Sequence, residues 1–146
     1  MRPAGVSATA RVGAAVVTAA IAVSAYGGAV GLVGGGLSFG DAIDARLPFG
    51  SLVLAGMALL VIVAAPMTVA SIAAFRASKH SAELVFGAGL LLVAWIGVEL
   101  AFIQVYSWFH PTYLGAAIVV LGLSWLMNRT ASAPAAPTLR DSHLSL

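Results

Sequence analysis

No charged side chain lies between Arg46 and Arg76, and most of the residues between them are Val, Leu, Ile, Ala, Met and Gly. A helix rising about 1.5 Å per residue needs about 20 consecutive apolar residues to cross a hydrocarbon core about 30 Å thick. The run from Phe49 to Phe75 meets that requirement, and so do runs from Val12 to Leu37 and from Leu84 to Tyr106. A shorter run, Pro111 to Met127, completes the set. With 61% hydrophobic and only 8% charged residues in 146, the chain lies outside the soluble range. The solvent for this fold is lipid.

The expectation is an all-α membrane protein of four transmembrane helices, at about 12–37, 49–75, 84–106 and 111–127, within one domain covering 1–128. The remainder, 129–146, is polar and rich in Ala, Pro and Ser, with too little apolar material to fold alone, and is expected to be a disordered tail. The first run follows Arg2 and Arg11 and contains Val23-Ser24-Ala25, which imitates a secretory cleavage site. It continues well past that site, however, and is long enough to span, so it is read as a helix with cleavage as the alternative.

Basic residues set the orientation. With the N-terminus inside, the cytoplasm receives Arg2, Arg11, Arg76, Lys79, Arg129 and Arg140, and the far side receives only Arg46, beside Asp41 and Asp44. That asymmetry predicts both termini in the cytoplasm and a multi-pass place in the inner (plasma) membrane. Phe39, Phe49, Tyr106, Trp108, Phe109 and Tyr113 then gather at the outer interface, where amphipathic rings are favoured. Pro48 and Pro111 fall near helix starts, where a missing N–H has no partner to lose.

Several chemistries are not expected. The chain has no cysteine, which removes disulfides, thiol catalysis and cysteine metal sites. Its net charge of +2 comes from seven scattered basic residues and does not form a nucleic-acid surface. His80, His110 and His143 fall near the membrane surfaces or in polar regions, so neither a bis-histidine haem nor a zinc site is expected. His110 reads as a solvated interfacial residue. The Gly34-Gly35-Gly36 run lies in an apolar helix and cannot cradle a phosphate, and no hydrolase or nucleotide motif is present. An enzyme is not expected, and no cofactor is implied.

Gly27, Gly31 and Gly35 stand four apart in the first helix, a spacing that lets helix backbones approach closely, within the chain or between copies. Pro66 removes a hydrogen bond to the carbonyl of Ile62 and predicts a kink in the second helix. Glu99 is the residue of most interest. It lies roughly 22 Å from the inner boundary, where carboxylates are costly and face an interior, a partner or water. Gly87, Ala94, Gly97 and Ala101 lie nearly opposite it, with Gln104 nearby, and that small-residue side is expected to make the tightest packing.

Tyr26 is at comparable depth in the first helix and is the simplest hydrogen-bond partner for Glu99. Contact with another subunit, and coupling to a proton or substrate, are the other readings of this carboxyl group. The candidate functional polar residues are therefore Glu99, Tyr26, Gln104 and His110.

From about Leu47 to Leu126, most visibly in Leu47–Ala70 and Ala88–Tyr113, the chain resembles uncharacterised small four-helix integral membrane proteins of actinobacteria and other bacteria, with the first helix and the tail outside the resemblance. The resemblance rests on Leu47-Pro48, Ala65-Pro66-Met67, Trp95 with Glu99, and an aromatic residue before Pro111. It implies the topology and no activity. Such proteins often carry glutamine at the position of Glu99, which implies hydrogen bonding rather than obligatory titration there. The functional expectation is a non-enzymatic accessory or structural component of a membrane assembly, its partners the lipid bilayer and other membrane subunits or a second copy. The alternative is a small proton-coupled transporter or exporter using Glu99 as its coupling carboxylate.

Overall fold

The computed structural model of the protein describes residues 4–36, 51–103 and 109–131, with side chains for 8–36, 51–101 and 110–129. All described elements are helical: α1 (Ala4–Val33), α2 (Leu52–Leu59), a wider turn (Leu60–Ala64), α3 (Ala65–Phe75), α4 (Ser81–Ile103) and α5 (Phe109–Ala131). Segment α2, the wider turn and α3 together form one span. The four spans, Ala8–Val33, Leu52–Phe75, Ser81–Ala101 and His110–Arg129, are each long and apolar enough to cross a membrane. The expected all-α, four-helix class is therefore observed.

The helix limits differ from the apolar runs for local reasons. The N-terminal extension of α1 to Ala4 adds small and polar residues, among which Ala4, Ala8, Ala10 and Arg11 favour helix without needing lipid. Its end at Val33 is set by Gly35, whose φ of +70° leaves the right-handed helix. Helix α2 begins only after Ser51, whose extended backbone and side-chain oxygen, accepting from the Leu54 N–H at 3.2 Å, form an N-cap. Helix α4 starts at Ser81, before the first large apolar residue, with Glu83 in its first turn. Helix α5 continues to Ala131, so the segment expected as tail begins as helix.

Alanine makes the core. Buried positions on α1 include Ala15, Thr18, Ala22, Ala25, Ala29 and Leu32, alternating three and four residues apart. That alternation keeps one narrow seam facing the neighbouring helices. Against it pack α3, through Met67, Ala70 and Ala74, and α5, through Ala117 and Val120. Small side chains bring the backbones close enough for the Ser71 hydroxyl to donate to the Ala15 carbonyl at 2.8 Å, and for Ser124 to donate to the Ala82 carbonyl at 2.9 Å. The buried hydroxyls of Thr18, Ser71 and Ser124 each find a carbonyl, as a dry interior demands. Such interhelical bonds contribute on average about 0.6 kcal/mol each.

The glycine stripe proposed for α1 does not pack as expected. A Cβ on Gly27 would meet nothing within 4 Å, and Gly35 belongs to the end of the helix. Gly31 is half-buried. The close approaches are made at Gly56, where a Cβ would lie 2.9 Å from Val33 Cγ2 and 3.1 Å from the Ala29 carbonyl oxygen, and at Gly89, 2.9 Å from Leu121 Cδ2.

Pro66 sits directly after the wider turn. The Ala65 N–H reaches back five residues to the Leu60 carbonyl. Proline has no N–H, and its ring clashes with the carbonyl four residues before it, here that of Ile62. Widening the turn moves that carbonyl away and accommodates the ring, so the expected irregularity is a π-type turn ahead of the proline. The Thr68 hydroxyl donates to the Ala64 carbonyl at 2.8 Å.

Helix α3 ends in a Schellman motif. Ser78 N–H bonds the Ala73 carbonyl at 3.0 Å and Ala77 N–H the Ala74 carbonyl at 3.3 Å. Ala77 occupies the left-handed position with φ 53°, which glycine ordinarily fills. Ala77→Gly is expected to stabilise the bundle by about 1 kcal/mol by relieving the Cβ clash of that conformation. Thermal unfolding in detergent reads the gain, and an unchanged midpoint would contradict it.

Candidate functional site

The site is built on α4. Its buried positions Ser81, Val85, Ala88, Leu92 and Ile96 mark the inward face, and the next step along that face is Glu99. The expected arrangement is thus reversed. Glu99 is half-buried on the side that packs, whereas Ala94, Gly97 and Ala101 are exposed and Gly87 and Gly97 have open space where a Cβ would go. The side chains of Val85, Ala88, Leu92 and Ile96 fill the interior at this helix, and Gly89 supplies a close contact with α5 in addition to the Ser124 bond to the Ala82 carbonyl.

Glu99 is held within its own helix. The Trp95 Nε1–H donates to Glu99 Oε1 at 2.8 Å, across one turn of α4. An indole N–H only donates, so the carboxyl oxygen is the acceptor whatever the protonation of its mate. Facing it from the first turn of α5 is His110, near enough to act on the carboxyl group electrostatically. His110 is 8% exposed, so the expectation of a solvated interfacial histidine is corrected. Pro111 follows in the same first turn, where its missing N–H is harmless, and the helix register then turns the preceding ring inward.

Tyr26 does not meet Glu99. Its hydroxyl lies 3.2 Å from Thr68 Oγ1. Thr68 has a single proton and gives it to the Ala64 carbonyl, so Tyr26 is the donor of the pair. A parallel relay runs from Tyr113 to Ser24 Oγ at 3.0 Å and on to the Ile21 carbonyl at 2.8 Å. Two separate hydroxyl chains therefore fasten α1 to α3 and to α5, and the Trp95, Glu99 and His110 cluster belongs to α4 and α5.

Gln104, the outer aromatics other than Phe109 and Tyr113, the three residues before Ala4 and the tail beyond Ala131 lie outside the described residues. Among the described residues, no three His, Asp or Glu side chains converge as a metal site. At the opposite end of the bundle, His80 Nδ1 lies 3.1 Å from Glu83 Oε2, an exposed pair on the α4 start. Gly56, Gly89 and Ser124 were not singled out by the sequence reading. Their signal was register: Gly56 stands two heptads before Ala70 on one seam, and Gly89 falls between Val85 and Leu92 on another.

Four helices able to cross a bilayer place the chain in the class of multi-pass, all-α membrane proteins. Comparison with protein-family models, with curated proteins and with solved structures finds no match for it.

Proposed function

We propose that the chain is a non-enzymatic integral protein of the inner membrane, with both termini in the cytoplasm, that serves as an accessory or structural component of a membrane assembly. The observation that carries this reading is the outward small-residue face of α4. Gly87, Ala94, Gly97 and Ala101 take no part in the bundle's own close packing. Helices in lipid associate by van der Waals fit, and small residues permit it. On α1, Val23, Gly27 and Val30 offer a second face of the same kind, with Val23 and Val30 about 70% exposed.

The test separates assembly from folding. A Cβ at Gly97 meets no atom of the bundle within 4 Å, so Gly97→Leu is expected not to lower the unfolding midpoint while removing the neighbouring subunit, whether another polypeptide or a second copy. Native mass spectrometry of gently extracted protein reads the complex. Identical assemblies from the parent and the variant would reject this face as a contact.

A second reading, proton or substrate coupling at Glu99, is favoured by one observation: the carboxyl group and the His110 ring share the inward side of the bundle. Two titratable groups at depth in a membrane protein are a recurrent feature of ion pathways.

A further inference from the structure

Arg11 continues the interior seam of α1, four residues before Ala15. Its Nε is buried and makes no hydrogen bond to any described residue. A half-buried charge with a donor left unpaired is costly, and an anion at the edge of the bundle, where the rest of the guanidinium lies, offsets that cost.

The helix register identifies its surroundings. Ser71 meets the Ala15 carbonyl, and α1 and α3 run antiparallel, so one turn further along brings Arg11 level with Phe75 and beside Arg76. Lys79 follows in the connection, and both Arg76 and Lys79 are exposed. On the other flank, Gly13 faces Leu123, which sets Arg11 near the level of Trp125, whose ring carries the Arg129 guanidinium at 3.6 Å. Glu83, the acid described at this end, is engaged by His80. Among the described residues, the end is therefore rich in cations and short of anions.

A hydrophobic seat leads away from it. Between α1 and α3, further into the membrane, lies a crevice of about 220 Å³ bordered by Ala19, Val23, Tyr26, Thr68 and Ile72. It opens along the same helix pair that carries Arg11 and Arg76. Cationic headgroup contacts at the membrane surface, continued by an apolar crevice at acyl-chain depth, match a phospholipid rather than a soluble anion.

We infer that Arg11, Arg76 and Lys79 bind the phosphate of an anionic phospholipid in the leaflet at this end, with one acyl chain in the crevice between α1 and α3. The half-buried Arg11 guanidinium donates to a phosphate oxygen from the edge of the bundle, and the two exposed cations neutralise the remaining charge. Arg129, held by Trp125, is not part of the site.

The test is native mass spectrometry of the purified chain in detergent, titrated with dioleoyl phosphatidylglycerol, dioleoyl phosphatidylcholine or inorganic phosphate. One phosphatidylglycerol is expected to be retained in preference to phosphatidylcholine. Arg11→Gln is expected to weaken that retention by about tenfold, the loss of one charge-assisted hydrogen bond, while Arg129→Gln leaves it unchanged. Should Arg11→Gln fail to fold, the exposed double variant Arg76→Gln with Lys79→Gln carries the same expectation. Equal retention of the two lipids, full competition by inorganic phosphate, or retention indifferent to the folded variants would overturn the inference.

Discussion

Gly56→Ala is expected to destabilise the bundle by about 1–3 kcal/mol, the range for forcing a methyl group into a filled site. The added Cβ would stand 2.9 Å from Val33 Cγ2, 3.1 Å from the Ala29 carbonyl oxygen and 3.2 Å from Leu32 Cβ. Two of these neighbours are backbone or backbone-proximal atoms of α1, so relief requires the helices to part. Parting them would also loosen the alanine seam below. Gly89→Ala is expected to cost less, because its nearest neighbours are the ends of Leu121 and Val120 side chains, which can rotate. Gly27→Ala is the control. It meets nothing, and alanine is the better helix former by about 1 kcal/mol. Unfolding midpoints in detergent for the three variants should therefore rank Gly27→Ala above Gly89→Ala above Gly56→Ala. Equal midpoints would mean that α1 and α2 are not in the tight contact described.

The four spans were legible because lipid imposes one demand on every turn, and apolar length meets it. Which face of each span turns inward was harder to read. On α4 the small residues pointed to the packing side by the rule that small residues bring helices together, yet Leu92 and Ile96 occupy the core. When both faces of a helix are apolar, hydrophobicity carries no sidedness, and only the three-and-four register of the buried set distinguishes them. That register was present for Ala15 to Leu32 and passes through Gly56 and Gly89 on their own helices.

The candidate site was legible in part for a related reason. Trp95 and Glu99 are one turn apart on the same helix, and local spacing made them neighbours before any tertiary structure was known. Tyr26 was matched to Glu99 by depth alone. Depth gives a height in the membrane but no bearing around the bundle, and Tyr26 faces Thr68 on α3 instead. His110 was misplaced because proximity to Pro111 and to the membrane surface suggested solvent. Surface proximity does not expose a residue whose helix register turns it inward, and His110 is buried.

A double-mutant cycle on Trp95 and Glu99 is the second large effect expected. Trp95→Phe removes the indole donor and leaves the carboxyl oxygen without it; Glu99→Leu leaves a half-buried indole N–H without its acceptor. Each single change is expected to cost about 1–3 kcal/mol, the penalty for stranding one partner of a desolvated pair. The double variant replaces both partners by apolar groups and should recover most of that loss, since an apolar pair needs no hydrogen bond. Glu99→Gln keeps an acceptor oxygen at the same reach and should be close to the parent in stability. Additive single losses would show that the pair does not act as a pair. The same Gln variant also divides the functional readings. A structural carboxyl group predicts that the folded variant retains the complex and whatever flux the parent supports. A coupling carboxylate predicts intact assembly with proton-linked flux abolished, because an amide can fill the hydrogen-bonding role beside Trp95 and His110 but cannot release a proton.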